Sequence, residues 1–251
     1  MNADIKLNPD LAAIAPELPD ALAVDGLPAD AKVFFRGRNI VAKTADGVLC
    51  IKQFRTPGVL KGAIYGFMRK PKALRAFENA VRLRQLGLPT PEPFACVLCR
   101  ENGFLRESYY VCRYLPGWTE LRYVQNRPDF KAIARGLAAF TLELHRKGVF
   151  VKDYSMGNVL FRPKPDGGYE FTLVDINRML FDVSDRDILM LNFRGILETA
   201  DATAVLAREY ASVAALHDAD AFVAEALAIF NRHQKKVERK KQIKKLLKRK
   251  K

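Results

Sequence analysis

The sequence contains no long uninterrupted apolar run, and this shortage bears on where the chain works. A membrane-spanning helix needs about 18 or more consecutive apolar residues, and no window of the 251-residue chain approaches that length. The N-terminal segment MNADIKLNPD also lacks the basic start and the apolar core of a secretory signal. We therefore expect a cytoplasmic protein.

Cysteine and histidine are scarce, which argues against a disulfide scaffold and against a zinc site. The chain has four cysteines and three histidines, whereas small secreted domains held by disulfides are much denser in cysteine. Cys96 and Cys99 do form a C-x-x-C pair. A structural zinc site would need a second pair or nearby histidines, and the sequence around the pair offers neither.

The excess of positive charge is concentrated at the C-terminus. The net charge is +14, and residues 235–251 hold eleven Lys or Arg and one Glu, a local charge of +10 that leaves +4 for the rest. Such a tail can be a solvated helix, a nonspecific nucleic-acid arm, or an anchor to an anionic membrane, to which each basic residue adds about 1 kcal/mol. Its apolar edge is thin, so electrostatic attraction would dominate over insertion.

The order of the expected elements divides the chain into four parts. Residues 1–30 mix Pro, Asp and Ala with short apolar pieces and indicate a loosely ordered lead-in with one or two helical turns. Residues 31–115 favour strands with one amphipathic helix, residues 116–232 are mainly helical, and residues 233–251 form the tail. With 49% hydrophobic residues, this order predicts an α+β fold of two lobes with a cleft between them.

Five polar residues stand in an order that suggests phosphoryl transfer. Lys52 ends the apolar run VLCIKQF, from which an ammonium group can reach phosphates, and Glu78 on the following helix could hold that lysine in place. Asp153 and Asn158 share one loop, and Asp175 ends the next strand. Oxygen ligands so placed can converge on Mg²⁺, which takes one or two protein groups plus phosphate oxygens.

Each of these residues alone has an ordinary explanation. A single strand lysine usually keeps its head group in water, and a helix glutamate is usually solvated. Asp and Asn in loops usually make local turn hydrogen bonds. The ordered combination is what indicates a site.

This combination resembles the protein-kinase-like fold, and most closely the bacterial kinases of lipopolysaccharide inner-core sugars, the 3-deoxy-manno-octulosonic acid (Kdo) and heptose kinases. The resemblance spans roughly residues 30–200 and rests on GRN at 37–39, FENA at 77–80, KDYSMGN at 152–158 and VDINR at 174–178. It implies a small antiparallel-sheet N-lobe with one helix and a mostly helical C-lobe.

The resemblance also implies roles for the five residues. Lys52 binds the phosphates of ATP, Glu78 pairs with Lys52, and Asp153 is the base that orients the sugar hydroxyl. Asn158 and Asp175 bind Mg²⁺. The implied activity is ATP-dependent transfer of a phosphoryl group to a hydroxyl of a lipid-linked Kdo or heptose at the cytoplasmic face of the bacterial inner membrane.

The implied partners are ATP, the sugar acceptor and the anionic membrane surface, the last through residues 235–251; no specific nucleic acid is expected. The connection 55–71, with Ile64, Tyr65, Phe67 and Met68 among basic residues, could approach the same surface. Lys152 and Arg178 are candidates for contact with an anionic substrate, although Arg178 can equally cap its turn. His145, at a helix end, is expected to be structural.

The chain departs from the common kinase pattern at three places. The glycine-rich phosphate loop is absent and only Gly37 remains, so the triphosphate would have to be covered in another way, for which Arg38 and Asn39 are candidates. Val151 replaces the usual histidine before the catalytic loop. The triplet Asp175-Ile176-Asn177 replaces Asp-Phe-Gly, with Asn177 expected to adopt the left-handed conformation. These departures keep two alternatives open: a catalytically weak or inactive kinase-like binding module, or a small-molecule or protein kinase of the same fold.

Overall fold

The computed structural model describes residues 2–9, 13–55, 70–122, 124–165 and 167–249. These form two compact units. The first contains the chain up to Gly117 together with Val174–Arg178, and the second contains Trp118–Leu173 and the chain from Met179 onward. The short segment Val174–Arg178 therefore leaves the second unit to join the first.

The first unit is built on an antiparallel sheet with the strand order β1-β5-β6-β4-β3-β2. The strands are β1 (Asn2–Leu7), β2 (Lys32–Arg36), β3 (Asn39–Lys43), β4 (Leu49–Arg55), β5 (Pro93–Glu101) and β6 (Phe104–Arg113). Two helices accompany it, α1 (Leu18–Val24) and α2 (Lys72–Gln85). Side chains from α1, β4, β5 and β6 form one hydrophobic cluster on a face of the sheet, including Leu22, Leu49, Ile51, Phe94 and Val111.

Helix α2 follows from its sequence pattern. Its buried residues Ala73, Ala76, Phe77, Ala80 and Leu83 recur at spacings of three and four, which places them on one face. The helix stops where Gly87 adopts a φ of +68°, and the Leu88 N–H then donates to the Leu83 carbonyl at 2.8 Å. This is the glycine-terminated helix that the sequence predicts.

The N-terminal residues differ from the expected loose lead-in. Strand β1 pairs with β5 from Asn2 opposite Arg100 to Leu7 opposite Ala95, and Leu22 of α1 is 1% exposed within the hydrophobic cluster. The strand is stabilised by backbone pairing with a segment roughly ninety residues away, which no local pattern reveals.

The second unit is mainly helical. It contains α3 (Phe130–Arg146), α4 (Arg186–Met190), α5 (Ala200–Val213) and α6 (Ala219–Arg249), with short 3-10 helices at Val124–Asn126 and Leu191–Arg194. Two small antiparallel sheets join β7 (Thr119–Glu120), β9 (Val159–Pro163) and β10 (Tyr169–Leu173), and β8 (Phe150–Val151) with β11 (Met179–Leu180).

Helix α6 runs through the boundary expected at residue 232. Its first turns bury Phe222, Val223, Ala226 and Phe230, and the same helix continues into the basic tail up to Arg249. The described part of the tail is therefore a continuation of a packed helix. None of the helices in the described parts of the chain is both long and apolar enough to cross a membrane.

Candidate functional site

The end of helix α3 determines where the loop containing Asp153 begins. Gly148 has a φ of +63°, and the N–H groups of Gly148 and Val149 donate to the carbonyls of His145 and Leu144 at 2.9 and 2.8 Å. A Cβ at position 148 would lie 3.1 Å from the backbone nitrogen of Val183, so a larger residue would meet both conformational strain and a close backbone. The glycine lets the chain turn directly into β8.

The loop after β8 is closed by Asn158. Its Nδ2 donates to the backbone carbonyl of Asp153 at 2.9 Å, and its backbone N–H donates to Ser155 at 2.9 Å. Tyr154, next to Asp153, is buried with its hydroxyl 2.8 Å from Thr141 Oγ1 of α3, and burial raises the pKa of this phenol. The amide nitrogen of Asn158 is thus engaged, and its Oδ1 is the atom suited to a cation.

A buried hydrogen-bond network holds the residues just before Asp153. His145 Nδ1 lies 2.8 Å from the Tyr210 hydroxyl, and His145 Nε2 lies 3.2 Å from Asn192 Oδ1. Asn192 Nδ2 in turn donates to the Val151 carbonyl at 2.7 Å, and the Arg194 guanidinium donates to the Lys152 carbonyl. Two consecutive carbonyls that lead into Asp153 are therefore held by side chains from one short 3-10 helix.

Burial lowers the pKa of His145 to about 4, although its hydrogen bond with Asn192 acts in the opposite direction. The imidazole is therefore neutral at pH 7, which agrees with a structural role. Asn192 and Arg194 could not be identified from the sequence, because neither belongs to a recognisable motif and each contacts a residue about forty positions away.

In the first unit, Lys52 contacts Asp175. Lys52 Nζ on β4 lies 2.6 Å from Asp175 Oδ1, and the side chains are 17% and 35% exposed. Asn177 Nδ2 donates to the same oxygen at 2.6 Å, and Asn79 Nδ2 of α2 donates to the Ile176 carbonyl at 2.7 Å. Because both side-chain contacts of Asp175 fall on Oδ1, its Oδ2 is the candidate cation ligand.

Two expectations about this segment are wrong. The left-handed residue is Asp175, with a φ of +54°, and Asn177 serves as the hydrogen-bond donor described above. Glu78 does not pair with Lys52: its carboxylate lies 2.8 Å from Lys70 Nζ and 3.6 Å from Lys6 Nζ. One residue along a helix is a rotation of about 100°, so Asn79, and not Glu78, is the α2 side chain that reaches the segment around Asp175.

Further basic groups surround Lys52 and Asp175. Lys52 Nζ and Lys72 Nζ lie 5.3 and 5.9 Å from the centre of the Phe54 ring. Burial lowers the pKa of Lys72, the charge of Arg38 lowers it further, and Asp175 partly opposes both. Partly desolvated cations that repel one another are suited to an anion such as a phosphate. Lys72 was missed because a lysine in the first turn of a helix carries no sequence signal.

The β2–β3 turn occupies the place of the missing glycine-rich loop. Gly37 and Arg38 form it, and the Gly37 N–H donates to the Asn39 carbonyl at 3.0 Å. Asn39 Oδ1 is buried without a hydrogen-bond partner among the described residues, and an oxygen acceptor does not serve a phosphate. Arg38 carries a positive charge that acts on Lys72, which makes it a candidate for triphosphate cover.

The residues implied for Mg²⁺ fit a hard cation in their chemistry. Within the described residues, no group of three or more Cys, His, Asp or Glu side chains could hold a metal by itself. Magnesium needs only one or two protein oxygens when phosphates and water supply the others. Asp175 Oδ2 and Asn158 Oδ1 are oxygens of the required type, and each lies in its own unit.

Neither Cys96 nor Cys99 is suited to metal or redox chemistry. Both are buried free thiols on β5, and burial raises their pKa values to about 12 and about 11. A thiol with a raised pKa is a poor nucleophile and a poor metal ligand.

The second unit contains a cavity of about 540 Å³ beside Asp153, which we call the basic cavity. Its polar lining includes Lys152, Asp153, Arg194, Arg232, His233 and Lys236. Lys152, a candidate for substrate contact, thus lies in this cavity. Arg178, the other candidate, is exposed in the segment that belongs to the first unit.

Comparison with known proteins supplies the family. The model of the lipopolysaccharide kinase (Kdo/WaaP) family matches residues 58–212, more than half of the chain. The chain belongs to this family. The matched range contains Glu78, Asp153, Asn158 and Asp175, whereas Lys52 precedes it. The resemblance drawn from the sequence motifs is confirmed, and the roles of the individual residues stay predictions.

Comparison with solved structures identifies the fold. The structure titled WaaP in complex with acyl carrier protein is 16% identical with a TM-score of 0.59, and the match covers 94% of this chain and 98% of that one. This likeness confirms the kinase-like α+β fold. No curated protein matches.

Two other solved structures match with lower TM-scores. The Rio2 kinase from Chaetomium thermophilum, in an ADP/Mg²⁺-phosphoaspartate complex, is 16% identical with a TM-score of 0.44, covering 90% of this chain and 77% of that one. WbdD with the kinase inhibitor LY294002 is 16% identical with a TM-score of 0.45, covering 80% of this chain and 44% of that one.

Proposed function

We propose that this member of the Kdo/WaaP family is an ATP- and Mg²⁺-dependent kinase that phosphorylates a hydroxyl of a Kdo or heptose in the lipopolysaccharide inner core. The observation that carries the proposal is the 2.6 Å ion pair between Lys52 and Asp175. A lysine and an aspartate held together, with Lys72 nearby, form a group that can bind both the phosphates and the cation of a nucleotide.

Each residue then has a definite role. Lys52 and Lys72 bind phosphate oxygens, while Asp175 and Asn158 supply ligands to Mg²⁺, which when bound neutralises charge on the phosphates. Asp153 accepts the proton of the sugar hydroxyl while the oxygen of that hydroxyl forms a bond to the γ-phosphorus of ATP. The bond between that phosphorus and the oxygen bridging to the β-phosphate breaks, and ADP leaves. The carbonyls held at Val151 and Lys152 keep Asp153 in place without reorganisation.

The test is a mass measurement on the acceptor. Purified inner-core acceptor incubated with the full chain, ATP and Mg²⁺ should gain the mass of one phosphoryl group. Asp153→Asn should lower the rate by at least roughly 10²-fold, since the base is lost while the shape is kept. Asp187→Asn, at a side chain that is 88% exposed, is the matched control and should retain the rate. A fully active Asp153→Asn variant contradicts the assignment.

One observation favours a second function, a kinase-like binding module without catalysis. Glu78 pairs with Lys70 and Lys6, so the lysine–glutamate pair that active protein kinases require is not formed. In that case the wild-type chain would bind nucleotide yet give no mass gain on any acceptor.

We also propose that the chain works at the cytoplasmic face of the inner membrane, where a lipid-linked acceptor is available. Supporting this, Ile243, Leu246 and Leu247 of α6 are 56%, 61% and 62% exposed among lysines. Electrostatic attraction to anionic lipid would bring such a helix to the surface. Vesicle flotation of the full chain tests this. Most of the connection 55–71, expected to approach the same surface, lies outside the described residues.

A further inference from the structure

The basic cavity is formed in part by the stretch of α6 that leads into the tail. Ile229, Arg232, His233 and Lys236 of α6 line it, and their spacings of three, four and seven place them on one helix face. The same face carries the buried Ala226 about one turn earlier and the buried Phe222 about two turns earlier. One face of α6 therefore packs into the core at the start of the helix and lines the cavity further along, where basic residues begin.

The charged side chains that line the basic cavity are mainly cationic. Lys152, Arg194, Arg232 and Lys236 are cationic, and among the described lining residues the only carboxylate is Asp153. Burial lowers the pKa of His233, and the charges of Arg194, Lys240 and Lys236 lower it further.

Two acidic residues near the start of α6 are paired. Asp220 accepts from Arg208 at 2.9 Å and Glu225 from Arg186 at 2.6 Å. Among the described residues, no carboxylate lies within ion-pair distance of Arg232 or Lys236. Both side chains line the cavity and are also exposed, and neither is paired with a carboxylate of a described residue, which leaves their charges available to an anion.

We propose that the basic cavity is the acceptor subsite and that Arg232 and Lys236 bind an oxyanion of the acceptor, a carboxylate or a phosphate carried on the sugar. The proposal rests on the proposed function, because it uses Asp153 as the base. A volume of about 540 Å³ is of the size that holds a small ligand. Binding the oxyanion here would bring a hydroxyl of the same sugar to Asp153.

The cavity favours the acceptor over the nucleotide for a structural reason. The basic residues suited to nucleotide phosphates, Lys52 and Lys72, belong to the first unit, whereas every lining residue of the cavity belongs to the second. The first turn of the tail would then recognise substrate, and only the later turns would be available to a membrane.

The first test separates acceptor binding from nucleotide binding by steady-state kinetics on a soluble, delipidated Kdo-containing acceptor. Arg232→Ala/Lys236→Ala should raise the acceptor KM by roughly 10–100-fold, since each charge-assisted contact is worth about a tenfold change. The KM for ATP should not change. The single variant Arg232→Lys keeps the positive charge, so its acceptor KM should rise less than that of the double alanine variant.

The matched control is Lys131→Ala/Arg208→Ala, which removes the same charge from exposed positions of the second unit that lie outside both the cavity and the tail. Its acceptor KM should equal that of the wild type. Equal KM values for the cavity pair and this control, or a rise in the KM for ATP alone, overturn the proposal.

The second test needs no catalysis. Calorimetric titration without ATP compares the free-acid Kdo glycoside with its methyl ester, and each with and without a phosphate substituent. Loss of affinity on esterification identifies the carboxylate, and loss on removal of phosphate identifies the phosphate; either loss must vanish in Arg232→Ala/Lys236→Ala. Identical affinities for all four compounds contradict the anion site.

Failure of the proposed kinase function and failure of the proposed anion site would give different results. If the wild type transfers no phosphoryl group but binds the anionic sugar through Arg232 and Lys236, the kinase function fails and the anion site stands. If transfer occurs with an unchanged acceptor KM in the cavity variant, the function stands and the anion site fails.

Discussion

Protonation of His145 should destabilise the fold and the loop before Asp153 together. Its pKa is about 4 in the folded protein and 6.5 in an ordinary solvated state. Between these values the unfolded chain binds a proton that the folded chain does not, so the free energy of unfolding falls as the pH falls. The loss begins as the pH drops below about 6.5 and is complete below about pH 4.

The magnitude follows from the shift. One pKa unit corresponds to about 1.36 kcal/mol, so lowering the pH from about 7.5 to about 5 should cost about 2 kcal/mol of the free energy of unfolding, and the full shift about 3.4 kcal/mol. The imidazole is buried, with Tyr210 and Asn192 as its partners, so solvent screens the effect little.

The assay is urea unfolding of the wild type and of His145→Gln at both pH values. Glutamine can still donate and accept but does not titrate, so the pH-dependent loss should be smaller in the variant by about 2 kcal/mol. NMR titration of the folded wild type gives the pKa of His145 directly. A folded pKa near 6.5, or equal pH dependence in both proteins, would refute the reasoning.

Two further predictions concern nucleotide and membrane. ATP with Mg²⁺ at about 100 times its Kd should raise the free energy of unfolding of the wild type by about 2.7 kcal/mol. Asp175→Ala should lose most of this increase, whereas the control Asp187→Ala should keep it. A full increase in Asp175→Ala would contradict the role of Asp175 as a metal ligand. In flotation with anionic vesicles at low salt, Lys241→Ala/Lys245→Ala should bind roughly 30-fold more weakly, at about 1 kcal/mol per lysine. Salt-independent flotation, or no flotation at all, contradicts an electrostatic anchor.

The candidate site could be predicted in part because its motifs are local. Lys52, Asp153, Asn158 and Asp175 were identified by the order of short motifs, and the match to the Kdo/WaaP family confirms the family that those motifs resemble. The glycine stop of helix α2 was predicted equally well. Turn chemistry and apolar periodicity act within a few residues, so a sequence shows them directly.

Contacts between distant residues could not be predicted in the same way. The sequence suggested Lys52 with Glu78, whereas the structure has Lys52 with Asp175 and uses Asn79 for the same segment. The choice between neighbouring residues of α2 depends on how the helix is rotated against the sheet. Burial and packing set that rotation, and a short motif does not encode it.

The sequence by itself determined the fold class, the order of the motifs and the concentration of positive charge at the C-terminus, since each is a local or compositional property. Only the tertiary structure decided what these features contact. It placed the start of the basic tail in the cavity beside Asp153 and held the Val151 carbonyl through Asn192, forty-one residues away. Such pairings depend on which distant surfaces pack together, and that is decided by the whole chain at once.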